Sequence, residues 1–484
     1  MANLKILFAT SEATPLIKTG GLADVSGALP AALRKIGVDV QILIPGYNQV
    51  VNQLGPYQVA ATFAELPGYP ASRLLTSEMP NGTPLLIVDC PTLYQREGGP
   101  YQNAAGTDWV DNPLRFGMLS KIAAVLGSSA SPLNWRPDLV HCNDWQTGLA
   151  PAYLRYSPGA VPSIMAIHNM AFQGNFAAIM AQQLRLPSSS YGVDGVEFHG
   201  QLSFLKAGLF YANHITTVSP NYAIEIQTEE LGFGMQGLLA SRKDKLTGIL
   251  NGIDIDEWDP ASDCFIEAPY STGKMAGKAA NKRDLQTRFG LNISPDIPLL
   301  GVVSRFTAQK GLDILLEIAP LLTEIPVQLV MLGSGDAQMQ KAARELAGNF
   351  PGHVGVYIGF SEELSHQIEA GADMFVMPSR FEPCGLNQFY SQRYGTPPIV
   401  HATGGLVDSV ENCTASTLSN GTASGFVFGE MSTVSLYATI RRAVDLYYDQ
   451  KNWQKLCANC MGKNFSWEPS AKAYEGVYKR VLGL

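Results

Sequence analysis

A recurring pattern constrains the fold of this sequence most strongly: a short apolar run, a polar loop, and then apolar residues at helical spacing. Repeats of this kind predict buried parallel strands with helices packed on both faces of the sheet. The pattern therefore predicts a doubly wound α/β domain, which binds ligands beyond the carboxyl ends of its strands. In the first half of the chain the candidate strands are Lys5–Ala9, Val38–Ile44, Leu85–Asp89, Asp138–Cys142, Ser163–Ile167 and Ile215–Ser219.

The second half repeats the pattern, with candidate strands Leu299–Val303, Val327–Leu332, Val354–Ile358, Met374–Pro378 and Ile399–Ala402. A chain of 484 residues is too long for one hydrophobic core. We therefore predict two domains, residues 1–248 and 249–461, followed by an amphipathic C-terminal helix in residues 462–484. A first helix near Leu22 is expected to kink or restart at Pro30, and residues 271–288 to form a loop leading into an exposed helix.

Composition excludes several classes of function. A net charge of −8 argues against a sequence-independent nucleic-acid binder. The N-terminus Met1–Phe8 has no signal-peptide pattern, and no apolar run is long enough to span a membrane. Seven scattered cysteines suit a reducing compartment. Cys457-x-x-Cys460 has no second pair, so a zinc or redox role is disfavoured. We expect a cytoplasmic protein without nucleic-acid or membrane partners.

Two nearly identical loops lie close to opposite ends of the sequence. Thr19-Gly-Gly-Leu-Ala-Asp24 and Thr403-Gly-Gly-Leu-Val-Asp408 share five of six residues. Glycine lets the backbone approach a ligand closely, and the unpaired N–H groups at a helix start attract anions. The pair predicts two anion-receiving loops, with Lys18 adding positive charge to the first. The alternative for Lys18 is a surface lysine in a flexible loop.

Other polar residues follow the predicted strands. Asp144 could bind ligand hydroxyls or cap the next helix, and His168 is placed for chemistry at a strand end. Arg305 and Lys310 follow Leu299–Val303, where they could neutralise a phosphate; the alternative is two solvated basic residues. Glu382 is a misfit beside an anion site unless it faces sugar hydroxyls.

The motifs Lys18-Thr-Gly-Gly-Leu22, Glu382-Pro-Cys-Gly-Leu386 and Thr403-Gly-Gly-Leu406 together resemble those of bacterial glycogen synthases and plant starch synthases. The resemblance extends from Lys5 to about Trp467. It implies a GT-B glycosyltransferase fold, in which two Rossmann-like domains face a deep cleft and a C-terminal helix packs back on the first domain. It also implies retaining transfer of glucose from ADP-glucose to an α-1,4-glucan by a monomer or small homo-oligomer, without a metal or organic cofactor.

The same resemblance assigns site residues. The catalytic residues it implies are His168, Arg305, Lys310 and Glu382. The donor-binding residues it implies are Lys18, Gly20, Gly21, Asp144, Asn251, Gly333, Phe360, Cys384, Gly385, Leu386, Asn387, Thr403, Gly404 and Gly405.

This chain departs from the family pattern at four positions. Relatives commonly have histidines where this chain has Asn143 and Gln146, Tyr where it has Phe360, and Thr where it has Asn387. Phe360 would keep a stacking face for the base, although a packed core phenylalanine is the alternative.

Other functions stay open at this point. The Asp-x-Asp sequence at Asp254 and Asp256 could hold a metal, but a solvated acidic hinge is favoured. Gly333-Ser-Gly335 begins a dinucleotide fingerprint that lacks its third glycine. A glucan phosphorylase carrying pyridoxal phosphate, a nucleotide-sugar epimerase and a non-catalytic glucan-binding protein are the rival functions.

Overall fold

The structure, a computed structural model, describes residues 3–484. The chain divides into two compact units. Unit 1 comprises the residues up to Gly252 together with Trp467–Leu484, and unit 2 comprises Ile253–Ser466. Both divisions lie a few residues beyond the predicted domain boundaries. Met1 and Ala2, which begin the segment considered for a signal peptide, lie outside the described residues.

Unit 1 is an α/β unit whose elements alternate along the chain. Its strands are β1 (Lys5–Ala9), β2 (Asp39–Pro45), β3 (Gln58–Phe63), β4 (Ser72–Glu78), β5 (Pro84–Asp89), β6 (Leu139–Asn143), β7 (Ser163–Ile167), β8 (Asn175–Ala177), β9 (Glu197–Phe198), β10 (Gln201–Ser203), β11 (His214–Thr217) and β12 (Leu246–Gly248). Its helices before residue 253 are α1 (Gly21–Lys35), α2 (Asn48–Gln53), α3 (Pro91–Tyr94), α4 (Asn112–Leu126), α5 (Leu149–Arg155), α6 (Ile179–Gln183), α7 (Phe204–Tyr211), α8 (Pro220–Glu225) and α9 (Gln236–Ser241).

The main sheet of unit 1 has the strand order β12-β11-β7-β6-β1-β2-β5-β4-β3. Pairing is parallel from β12 to β5, whereas β4 and β3 are added antiparallel at one edge. The chain moves outward from β1 through β2 on one side and returns to β6 on the other. Because the direction of winding reverses between β1 and β6, their carboxyl ends form the switch point where doubly wound sheets bind ligands.

Unit 2 repeats this architecture on a smaller scale. Its strands are β13 (Leu299–Val303), β14 (Gln328–Gly333), β15 (Val354–Ile358), β16 (Met374–Met377), β17 (Pro398–His401) and β18 (Phe426–Phe428). Its helices are α10 (Ala276–Arg288), α11 (Leu312–Leu322), α12 (Ala337–Asn349), α13 (Glu362–Gly371), α14 (Asn387–Arg393), α15 (Gly404–Ser409), α16 (Ala415–Asn420), α17 (Thr433–Tyr448) and α18 (Gln450–Met461). The final helix, α19 (Trp467–Leu482), belongs to unit 1.

The parallel sheet of unit 2 has the order β15-β14-β13-β16-β17-β18. Its switch point therefore lies at the carboxyl ends of β13 and β16. The loops that follow these two strands contain Arg305 and Lys310 after β13, and Glu382 after β16. The strand order thus brings together residues that are more than 70 positions apart in the sequence.

Helix α19 packs on unit 1 through its apolar face. Trp467, Ala471, Tyr474, Val477 and Tyr478 lie in one buried cluster with residues of α1, β1 and β2. The hydroxyl of Tyr478 lies 2.8 Å from His141 Nδ1 on β6. The helix therefore completes the core of the first sheet.

Two predictions about helices need correction. Helix α1 continues without interruption through Pro30, so the expected restart is wrong, whereas the alternative of a kink at Pro30 stays a prediction. Helix α10 is not simply an exposed helix, because Lys282 is buried and its ammonium lies 2.8 Å from the Asp373 carboxylate. Lys282 is buried because it pairs with the Asp373 carboxylate. A polar sequence such as that of α10 therefore does not by itself show that a helix is exposed.

Two further observations concern membrane-spanning helices and disulfides. Among residues 3–484, no helix is long and apolar enough to cross a bilayer. None of the seven cysteines, all of which lie within residues 3–484, forms a disulfide.

Candidate active site

The unit 1 loop cluster, defined as Glu12, Lys18–Gly21, Asn143, Asp144 and His168, lies at the β1/β6 switch point and the adjoining end of β7. Glu12 follows β1 and is buried. Its carboxylate accepts hydrogen bonds from the backbone N–H of Thr19, from the N–H of Gly20 at 3.2 Å and from the hydroxyl of Tyr101. Burial raises the pKa of Glu12. Glu12 therefore fixes the conformation of the glycine loop that precedes α1.

These contacts change the interpretation of the first glycine loop. The N–H of Gly20 was predicted to stabilise a diphosphate, but it donates to the Glu12 carboxylate instead. Lys18 forms a 2.8 Å ion pair with Asp24 in α1. However, a Cβ added at Gly20 or Gly21 would meet no atom within 4 Å. The backbone there borders open space, which leaves room for a ligand.

Asp144 organises the loop that follows β7. Its φ of 52° is unusual for a residue with a Cβ, and surrounding contacts hold it there. Its N–H donates to the Ala166 carbonyl at 2.9 Å, and its Oδ1 accepts from the N–H of His168 at 2.7 Å. The side chain does not cap the following turn, so the capping alternative is wrong. Burial raises the pKa of Asp144 to about 7.

His168 is held by two neighbours on β6 and its loop. Besides its backbone bond to Asp144, its Nε2 lies 3.0 Å from Asn143 Oδ1. Asn143 is fully buried and also donates through Nδ2 to the Ala9 carbonyl at 2.9 Å. Burial lowers the pKa of His168 to about 4, so the ring is neutral at physiological pH. A neutral, fixed imidazole suits hydrogen bonding to a sugar hydroxyl rather than ion pairing.

The unit 2 loop cluster, defined as Arg305, Lys310, Ser379, Glu382, Gly404 and Gly405, lies at the β13/β16 switch point and the end of β17. Lys310 Nζ forms a short ion pair with Glu382 Oε2, which also accepts from Ser379 Oγ at 3.1 Å. The Lys310 side chain is 19% exposed and that of Glu382 only 7%. The carboxylate that seemed misplaced in the sequence is therefore neutralised by Lys310.

The loops around this ion pair are joined to each other. The N–H of Arg380 donates to the Gln309 carbonyl at 2.8 Å, and Gln309 Nε2 donates to the Phe381 carbonyl at 3.2 Å. The Arg380 guanidinium binds both Asp313 carboxylate oxygens at 2.6–2.7 Å. Arg305 differs, because its side chain is exposed and makes no ion pair or side-chain hydrogen bond among residues 3–484. Arg305 is thus the available guanidinium of this cluster.

The second glycine loop is packed much more tightly than the first. A Cβ added at Gly404 would lie 1.9 Å from the Glu382 carbonyl oxygen, and one at Gly405 would lie 2.3 Å from that of Cys384. The N–H of Gly405 donates to the carbonyls of Glu382 and Pro383 at 3.0 and 3.2 Å. This amide is therefore hydrogen-bonded within the protein, and the donor-binding role of Gly405 stays a prediction. Gly404 and Gly405 support the loop that carries Glu382.

The remaining predicted residues occupy varied positions. Phe360 is 79% exposed, so the alternative of a core phenylalanine is wrong. Asn387 Nδ2 donates to the Val303 carbonyl at 2.7 Å, which gives its side chain a structural role. A Cβ at Gly333 would lie 1.8 Å from the Ser304 carbonyl oxygen.

Asn251 Oδ1 is buried without a hydrogen-bond partner in the described part of the chain. Leu386 precedes α14, with Cys384 buried and Gly385 at φ 73°. Thr403 is a buried residue that precedes α15.

Sequence reasoning did not single out Glu12, Tyr101 or Asn143 as site residues. Glu12 could have been found, because it lies directly beyond β1, the strand at the centre of a doubly wound sheet. Tyr101 lies in a loop 89 residues away from Glu12, and no local pattern marks it. Asn143 was noted only as a departure from a histidine in relatives.

An α/β chain with two doubly wound sheets, parallel except for the β4–β3 edge of the first, and with charged loops at both switch points has the features of a glycosyltransferase of the GT-B type. Comparisons agree with this class: the family described as "Starch synthase catalytic domain" matches residues 5–241, and "Glycosyl transferases group 1" matches residues 284–455.

Two glycogen synthases, from Nitrosospira multiformis and Dechloromonas aromatica, are each 53% identical. The first alignment covers 99% of this chain and 98% of the relative, and the second covers 100% and 99%. The catalytic domain of starch synthase IV from Arabidopsis thaliana, solved with ADP and acarbose bound, matches with a TM-score of 0.88 and 30% identity over all of both chains. This chain belongs to the glycogen synthase and starch synthase family.

Proposed function

We propose that the protein transfers glucose from ADP-glucose to the non-reducing end of an α-1,4-glucan, with retention of anomeric configuration. The observation that carries the proposal is the Lys310–Glu382 ion pair at the switch point of unit 2, where the loop after β13 also presents the exposed Arg305 side chain. The family relationship over the whole chain and the ADP bound to the starch synthase IV domain support the choice of reaction and donor.

The unit 2 loop cluster supplies the charge that the reaction requires. Cleavage of the sugar–phosphate bond leaves negative charge on the departing diphosphate. Arg305 can bind two phosphate oxygens at once, because its guanidinium presents a planar array of donors. Lys310 has three N–H donors, so it can bind a phosphate oxygen while keeping its bond to Glu382. Donors fixed in place before the reaction are an effective way to stabilise developing charge.

The sugar is proposed to be held by different residues. The Glu382 carboxylate accepts hydrogen bonds from glucose hydroxyls, and the neutral His168 ring contacts the transferred glucose. The exposed Phe360 ring provides a stacking face for the nucleotide base. The acceptor hydroxyl attacks on the face from which the diphosphate leaves, and its proton passes to a phosphate oxygen. The products are ADP and a glucan longer by one glucose unit. This reaction needs no enzyme nucleophile, metal or organic cofactor.

Nucleotide release tests this proposal. ADP-glucose and UDP-glucose should each be incubated with the protein, with and without glycogen. We expect ADP release that depends on glycogen and is matched by glucan growth. Release only from UDP-glucose would overturn the donor, and no release from either would overturn the synthase function. An absorption band of pyridoxal phosphate would instead indicate a phosphorylase.

A further inference from the structure

A buried histidine outside the proposed active site has one ring nitrogen held by a carboxylate. His366 lies in α13 of unit 2 and is fully buried. Its Nδ1 lies 2.8 Å from Asp263 Oδ2, and the same oxygen accepts the Tyr394 hydroxyl at 2.5 Å. The ring also stacks on Trp258, with centroids 3.8 Å apart and planes 13° from parallel. These contacts fix the orientation of the imidazole.

The other ring nitrogen is buried without a partner. His366 Nε2 makes no hydrogen bond among residues 3–484. With Nδ1–H donating to Asp263, Nε2 carries a lone pair. A buried polar atom without a partner costs free energy of folding. Something that accepts this lone pair would remove that cost.

Two carboxylates lie near the imidazole ring of His366. The side chains of Glu257, Glu362 and His366 each offer a ligand atom, and these atoms lie within 4.8 Å of one another. Since Nδ1 is engaged by Asp263, Nε2 is the ring atom available to a ligand. The helix start explains why Glu362 is tolerated at the beginning of α13. It does not explain the unpartnered Nε2.

We propose that Glu257, Glu362 and His366 form a site for a divalent transition-metal ion, with Zn²⁺ the best fit. An imidazole nitrogen with carboxylate oxygens suits Zn²⁺, and water would complete the coordination. Metal-bound histidines typically donate their other ring N–H to a carboxylate, the role of Asp263 here. Bound metal would connect the segment around Glu257 to α13 within unit 2. None of these residues is assigned to the glucosyl transfer, so the site is independent of the proposed function.

Zinc binding by the full-length chain tests the proposal. Protein dialysed against EDTA and then freed of chelator should be titrated with ZnCl₂ by calorimetry and melted with and without the ion. We expect one Zn²⁺ per chain and a higher melting temperature with zinc. The double variant E257Q/E362Q should lose this binding. D263N should bind about 10–100-fold more weakly, because the orienting carboxylate is lost.

A matched control removes the same charge elsewhere. Glu229 and Glu230 are adjacent exposed glutamates in unit 1, and E229Q/E230Q should bind zinc like the wild type. Co²⁺ added in place of Zn²⁺ should give visible absorption bands that H366Q abolishes. Since Glu257 is exposed and Glu362 is partly so, their amide variants should fold even where H366Q does not. Unchanged stoichiometry and affinity in E257Q/E362Q would overturn the proposal, as would the absence of binding and stabilisation in the wild type.

Discussion

Asn143 and His168 define the state of the imidazole in unit 1, with 3.0 Å between Asn143 Oδ1 and His168 Nε2. Asn143 Nδ2 donates to the Ala9 carbonyl, so its Oδ1 is left as an acceptor. Nε2 of His168 must then carry the proton and donate it, which leaves the lone pair on Nδ1. Asn143 thereby selects one tautomer of the histidine proposed to contact glucose.

Replacing Asn143 with leucine should impair catalysis more than stability alone explains. The variant removes the acceptor for His168 Nε2 and leaves the Ala9 carbonyl without its donor. We expect a loss of about 1–3 kcal/mol in the free energy of unfolding, because a buried carbonyl loses its donor. We also expect kcat to fall by more than about tenfold, because the His168 ring is no longer held in one orientation towards the substrate. Denaturant unfolding and initial rates measure both quantities.

Thr147 provides the control for this variant. Its buried hydroxyl donates to the Asn143 carbonyl at 2.9 Å and to the Asp144 carbonyl at 3.3 Å, and among the described residues it makes no hydrogen bond to His168. T147V should lose stability without a comparable loss of kcat. Equal kcat values in N143L and T147V would show that Asn143 has no special effect on His168.

The lowered pKa of His168 makes stability depend on pH. A histidine titrates near 6.5 in the unfolded chain and near 4 in the folded protein. Between these values the unfolded chain binds more protons, so this residue's contribution to stability is complete above about pH 6.5 and is lost as the pH falls towards 4. H168Q should therefore lose less stability than the wild type over that range. Parallel pH profiles of the free energy of unfolding for the two proteins would contradict this prediction.

The parallel strands were predictable from sequence, whereas the contacts made by their loops were not. Runs such as Lys5–Ala9 and Leu299–Val303 match β1 and β13 in both bounds, because strands buried on both faces are continuously apolar. The edge strand β3 was missed, because it has no buried residue and its apolar run of valine and two alanines is short. The ion pair of Lys310 with Glu382 depends on the order of strands in the sheet, which local patterns do not encode.

Lys310 should be essential for transfer although its removal leaves the fold intact. In K310A the buried Glu382 carboxylate loses its cation, and the diphosphate loses a donor. We expect kcat to fall by about 10²–10³-fold, as for the loss of one preorganised donor. Lys341 offers a matched control, because it forms an exposed pair with Glu345 at 3.7 Å. K341A should keep nearly wild-type turnover, and near-normal turnover in K310A would refute its assigned role.

Replacing Arg305 should lower activity with a smaller effect on stability than replacing Lys310. Its exposed guanidinium has no ion pair or side-chain hydrogen bond to lose among residues 3–484, so R305A should change the free energy of unfolding by no more than about 0.5 kcal/mol. We expect a large loss of kcat/KM for ADP-glucose, with R305K recovering only part of it because lysine cannot bind two oxygens in a fork. A variant that melts like the wild type and also turns over normally would leave Arg305 without a catalytic role.

Alanine should have different effects in the two similar glycine loops: it should reduce stability at Gly404 and donor affinity at Gly21. A Cβ at Gly404 would collide with the Glu382 carbonyl at 1.9 Å, and its φ of 46° is already unfavourable for alanine. G404A should therefore lower the melting temperature and displace the Glu382 loop. At Gly21 a Cβ meets nothing within 4 Å, so G21A should fold normally, and its methyl group should raise the KM for the donor if the nucleotide-sugar approaches this backbone. Gly429 also has open space and lies outside both loops, so G429A should affect neither quantity. A wild-type KM in G21A would mean that the open space beside the first loop is not occupied by the donor.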